Sequence, residues 1–170
     1  KRITNIGKIK SGEEPKFKPP SKPNVKDSLP KIAILGTGGT IASRIDYKTG
    51  AVNPAFSAEE LYSIIPELAS YANINTQLIS NIASEQMNPE DWTNIAKKVI
   101  EKINEGNQGI IIGHGTDTMA YTSAALSFAL KNCPIPVIIT GAQRSTDRPS
   151  SDASLNMISS VIMASKKVLN

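Results

Sequence analysis

The sequence is poor in the residues that carry disulfide, metal and stacking chemistry. Among its 170 residues are one cysteine, Cys133, one histidine, His114, and 5% aromatics. A single cysteine excludes an internal disulfide, and a reducing, cytoplasmic setting is expected. In its Lys-Asn-Cys-Pro turn, Cys133 reads as a packed or incidental thiol rather than a nucleophile. A lone histidine beside a strand end is more often packed or hydrogen-bonded than coordinating, so no metal site is expected. No apolar run approaches the length of a membrane span and no charged-then-apolar leader opens the chain. No membrane partner is expected. The chain opens at Lys1 rather than Met, and more sequence is expected upstream.

Composition is otherwise that of a globular domain, with 39% hydrophobic and 20% charged residues. The net charge of +4 is unevenly distributed: residues 1–31 hold nine Lys/Arg against three acids, leaving ten against twelve in the remainder. The basic character therefore belongs to a leading arm. Five of the eleven prolines fall in residues 1–30, which read as an extended Pro/Lys-rich linker or as the tail of a preceding small module. With no aromatic but Phe17 among its lysines, the arm reads as solvated rather than as a nucleic-acid strip.

Beyond the arm, short apolar runs alternate with helical patterns. Ile32–Leu35, Ile74–Ile79, Gly109–Gly113 and Val137–Thr140 read as strands. Ser57-Ala-Glu-Glu60 is a capping box opening a helix that Pro66 ends. Asn88 caps a second helix, with Pro89 at its first position and an apolar stripe of Trp92, Ile95, Ala96, Val99, Ile100 and Ile103. Further helices are expected over Met119–Lys131 and from about Asp152 to Ser165. Strand and helix in alternation predict an α/β fold with a doubly wound, mostly parallel sheet flanked by helices. Residues 43–56, polar and containing Gly50 and Pro54, read as a long loop acting as a lid.

In such a sheet, ligands bind beyond the carboxyl ends of the strands. Four polar loops belong there: 36–40, 83–88, 113–118 and 141–148. They carry the hydroxyls of Thr37, Thr40, Ser84, Thr116 and Thr118 and the carboxylates of Glu85 and Asp117. Hydroxyls and amides suit a carboxylate, and acids suit an ammonium group, so the set fits a small zwitterion. The glycines of Thr37-Gly-Gly-Thr40 are expected to leave both threonine hydroxyls projecting into the opening. A non-catalytic nucleotide-binding turn is the alternative, although no Walker A spacing exists and Ile41 stands where a dinucleotide motif has its third glycine.

Thr-Gly-Gly-Thr-Ile-Ala (37–42) with His-Gly-Thr-Asp-Thr-Met (114–119) resembles the two signature segments of the asparaginase/glutaminase amidohydrolases. Residues 42–52 and 141–153 are similar to those of one branch, the D subunits of archaeal glutamyl-tRNA(Gln) amidotransferases. The resemblance covers roughly residues 27–170 and implies that 31–170 form that family's amino-terminal α/β domain, truncated at its carboxyl end. It implies Thr40 as nucleophile, supported by Tyr47, with Thr116 and Asp117 as the second catalytic pair. Substrate would be bound by Thr40, Ser84, Glu85, Thr116 and Asp117, with Ser84 and Glu85 gripping the α-carboxylate and α-ammonium. Glu85 stands where many bacterial asparaginases have Gln. The family's relay lysine would lie beyond Asn170, since Lys166 and Lys167 belong to the last helix.

The implied reaction is release of ammonia from glutamine for amidation of Glu-tRNA(Gln), with a stand-alone L-asparaginase as the alternative. The implied partners are glutamine or asparagine, a kinase/transferase partner (the E subunit), Glu-tRNA(Gln) reached through the complex, and a second copy in a homodimer core. No cofactor is implied in this chain, ATP and Mg being used by the partner.

Overall fold

A computed structural model describes residues 26–39, 41, 43–45, 52–54, 57–144 and 149–166. Its centre is a sheet of four parallel strands: β1 (Lys31–Gly36), β4 (Asn73–Leu78), β5 (Gly109–Gly113) and β6 (Val137–Thr140). They lie in the order β4-β1-β5-β6. The first connection moves outward from β1 to β4, and the next crosses back to β5 on the other side of β1. The topology therefore reverses between β1 and β5, and the loops leaving those two strands flank the crevice where such sheets bind ligands.

The alternation of β1 divides the core into two layers. Ile32 and Ile34 face a cluster with Leu61 of α1 (Ala58–Ile64) and Met157 and Val161 of α4 (Ala153–Ser165). Ala33 and Leu35 face the opposite cluster, with Ile95 and Val99 of α2 (Pro89–Asn104) and Leu126 of α3 (Met119–Ala129). The uninterrupted apolar run Ile32–Leu35 within β1 is thus accounted for by burial on both faces, and the α/β doubly wound fold follows.

Local signals in the sequence translate directly. Ser57 and Glu60 exchange the two hydrogen bonds of a capping box, and Asn88 does the same with Asp91 at α2. Gly106 ends α2 with φ +81°. The α2 stripe is narrower than expected: Ile95 and Val99 are buried, whereas Ile100 is 50% exposed.

Two features differ from the sequence reading. The segment 43–56 is not simply a loop, because β2 (Ser43–Ile45) and β3 (Val52–Pro54) pair antiparallel within it. Three-residue strands are too short to show a period of two. The described fold also begins before β1: Asn73 Nδ2 donates to the carbonyls of Lys26 and Leu29 at 2.8 and 3.0 Å, tying 26–30 to the start of β4. Among the described residues no helix is long and apolar enough to cross a membrane.

Candidate active site

The loops after β1 and β5 meet through backbone. Gly39 has φ +81°, and a Cβ on it would stand 2.7 Å from the Gly115 nitrogen. Only glycine meets both conditions here. Gly115 in turn abuts the turn Ser84–Gln86, since a Cβ on it would lie 2.7 Å from both Cβ and Oγ of Ser84. Thr118 Oγ1 donates to the Ser84 carbonyl at 2.7 Å and locks the second contact. Three segments far apart in sequence are therefore joined by two glycines and one hydroxyl.

Thr116 is half-buried, and Asp117 is exposed on the same loop. Ser84 is 4% exposed, with Glu85 beside it at the surface. Ser84 and the Thr116 loop are brought together through Gly115. Thr40 and Tyr47 lie outside the described residues; Gly39, which precedes Thr40, is against the backbone of His114 and Gly115.

Thr37 and Thr118 depart from the expected display of hydroxyls. Thr37 is 1% exposed, and both its backbone N–H and its Oγ1 donate to the Gly113 carbonyl at 3.0 Å. Its hydroxyl stitches β1 to β5 and does not project into the opening. That of Thr118 is engaged with Ser84. Residue type and spacing do not report side-chain direction, and a buried hydroxyl turns toward a strand-end carbonyl that has a lone pair left to accept it.

His114 is fully buried. Its Nδ1 lies 2.7 Å from the Gly115 carbonyl and its Nε2 lies 3.0 Å from Met87 Sδ. Burial holds its pKa below the ordinary histidine value, with the Gly115 contact opposing. Thr122 Oγ1 also donates to Met87 Sδ at 3.2 Å and accepts from Trp92 Nε1 at 2.9 Å. This chain of contacts joins α2, α3 and the end of β5 beneath the Ser84 turn, and no sequence pattern announces it.

Among the described residues no group of three or more His, Cys, Asp or Glu side chains could hold a metal ion. An apolar cavity of about 540 Å³ lies elsewhere, along β6 between α3 and α4, lined by Leu126, Leu130, Val137, Ile139 and Met163 among others. Its mostly aliphatic wall does not suit a zwitterion.

Residues 31–170 match the family model described as "Asparaginase, N-terminal". The chain belongs to the asparaginase family. Within the asparaginase family it is 55% identical over 162 residues to the D subunit of the glutamyl-tRNA(Gln) amidotransferase of Pyrococcus furiosus, covering 95% of this chain and 36% of that protein. It is 51% identical over 168 residues to the corresponding protein of Methanococcus maripaludis, covering 98% and 40%. The solved thermostable L-asparaginase of Thermococcus kodakarensis superposes with a TM-score of 0.71 at 40% identity, covering 81% of this chain and 41% of that one. The chain thus spans 36–40% of the length of these two curated relatives.

The structure also adds residues the sequence reading missed: Gly115 and Met87, which set how the Ser84 turn sits on the Thr116 loop. The glycine was legible in principle, because a glycine between His and Thr at a strand end signals close backbone approach.

Proposed function

We propose that this chain carries the amino-terminal portion of the asparaginase-type domain in the ammonia-releasing subunit of a tRNA-dependent amidotransferase. Glutamine is its substrate, and Glu-tRNA(Gln), bound with a kinase/transferase partner subunit, receives the ammonia. The observation that supports this most strongly is the seating of the Gly39 loop on the Gly115 loop at the point where the sheet topology reverses, with Ser84 packed on the same glycine. An amino acid held there would have hydroxyl and backbone donors for its carboxylate from Ser84 and carboxylates for its ammonium from Glu85 and Asp117.

In this reading the Thr40 hydroxyl attacks the side-chain amide carbon of glutamine. The carbon–nitrogen bond breaks and the nitrogen leaves as ammonia after taking up a proton. Water then cleaves the threonine ester, releasing glutamate and restoring the hydroxyl. A hydroxyl is a weak nucleophile at its free pKa, so Thr40 needs an adjacent proton acceptor, which Tyr47 supports on one side and the Thr116–Asp117 pair on the other. The preference for the amidotransferase over a stand-alone L-asparaginase draws on the higher identity to the D subunits, 51–55%, than to the solved asparaginase, 40%.

The test measures amide hydrolysis by the full-length protein, alone and with its partner subunit and Glu-tRNA(Gln). Glutamine hydrolysis should rise on their addition and disappear with Thr40→Ala. Asparagine turnover indifferent to both additions would move the assignment to the stand-alone enzyme. Retained turnover in Thr40→Ala would remove Thr40 as nucleophile.

A further inference from the structure

Asp152 occupies the N-cap position of α4 yet makes no side-chain hydrogen bond to the amides of its own helix. An aspartate at that position ordinarily accepts from the second or third helical N–H. Here the carboxylate is turned back onto the loop that follows β6. Gln143 N–H donates to both its oxygens at 3.1 Å, and Arg144 N–H donates to Oδ1 at 3.1 Å. One helical turn on, Asn156 Nδ2 donates to Asp152 Oδ2 at 3.1 Å and to the Gly141 carbonyl at 3.0 Å. Both partners are acceptors, so only the amide NH₂ can bridge them and the orientation of Asn156 is determined.

The opposite side of Gly141 faces the candidate site. A Cβ on Gly141 would stand 2.7 Å from the His114 carbonyl oxygen and 3.0 Å from Thr116 Cγ2. Gly141 is therefore sandwiched between the first turn of α4 and the methyl group of Thr116. Threonine is stiff at χ1, so a wall against Cγ2 also sets the direction of Oγ1.

We propose that Asp152 and Asn156 are positioning residues that aim the Thr116 hydroxyl by holding Gly141 against the Thr116 methyl. The inference rests on Thr116 belonging to the reacting site, as in the function proposed above. Asp152 suits a permanent brace, because a carboxylate is ionised through the neutral range and the Gln143 and Arg144 amides hold its pKa lower still. Neither residue reaches substrate in this arrangement; they act through Gly141.

The test uses the full-length protein and a double-mutant cycle between the brace and the group it pushes on. Asn156→Ala should lower kcat for glutamine by roughly 10- to 100-fold, the scale of a misplacement near 1 Å, while KM stays within about threefold. In a Thr116→Ser background, which keeps the hydroxyl but removes Cγ2, the same change should lower kcat by less than about twofold. A purely structural role would leave the two losses multiplicative, and that outcome overturns the brace, as does wild-type kcat in Asn156→Ala. Gly141→Ala pushes on Thr116 without touching α4, and it carries the test should Asn156→Ala not fold: its kcat loss should likewise shrink in the Thr116→Ser background, and an undiminished loss overturns the brace. Thr116→Val separates the two ideas. Retained turnover there would overturn the site assignment itself, whereas an inactive Thr116→Val beside a normal Asn156→Ala would overturn the brace alone.

Discussion

The Gly115 nitrogen lies 2.7 Å from the point that a Cβ of Gly39 would occupy, so the loops leaving β1 and β5 touch with no side chain between them. The contact joins positions just after the first and third strands of the parallel sheet in chain order, far apart along the chain, and the geometry of the candidate site rests on it.

Gly39→Ala meets two penalties at once, a left-handed backbone and a clash with backbone atoms that cannot swing away. It should lower stability by about 1–3 kcal/mol and abolish amide hydrolysis. Thermal unfolding and glutamine turnover of the full-length variant check both parts.

Thr37 should behave in the opposite way from Thr116. Thr37→Val removes a buried hydroxyl, but the Gly113 carbonyl it serves keeps the Thr37 backbone N–H as a donor. The loss should be about 0.5–1.5 kcal/mol in chemical denaturation. Turnover should stay near the wild-type level, and an inactive Thr37→Val would show that its hydroxyl reaches substrate.

His114 predicts a pH dependence of stability. Its pKa is lowered in the folded state by burial, so the unfolded chain binds the proton more readily. Stability should therefore be full above the ordinary histidine value of about 6.5 and fall as the pH drops below it. A melting-temperature series between neutral and mildly acidic pH should show the decline, and His114→Gln should flatten it.

Trp92 Nε1 donates to Thr122 Oγ1, and Thr122 is itself fully buried. Thr122→Val preserves shape and deletes the acceptor, leaving the indole N–H without this partner. A loss of about 1–3 kcal/mol is expected. Phenylalanine at position 92 should recover part of it when combined with Thr122→Val, which a double-mutant cycle in urea would measure.

Some of these relationships were legible before any fold was known. Four uninterrupted apolar residues at Ile32–Leu35, stopped by Gly36, read as a strand covered on both sides, and the observed burial of Ile32 and Ile34 on one face and Ala33 and Leu35 on the other is that pattern realised. The caps at Ser57 and Asn88 depend on residues three apart, so they too were written locally. The pairing of Ser43–Ile45 with Val52–Pro54 was not, because three residues carry no readable periodicity.

The sequence by itself determined the four strands of the parallel sheet, the helices, the caps at Ser57 and Asn88 and the four loops that carry hydroxyls and carboxylates, since each depends on neighbours a few positions away. Only the tertiary structure decided where those groups point: Thr37 inward to Gly113, Thr118 to Ser84, and Asp152 away from its own helix to Gln143 and Arg144. Side-chain direction follows from which donor or acceptor the fold brings within reach, and partners brought together across a turn between elements, or from dozens of residues away, leave no local trace in the order of amino acids.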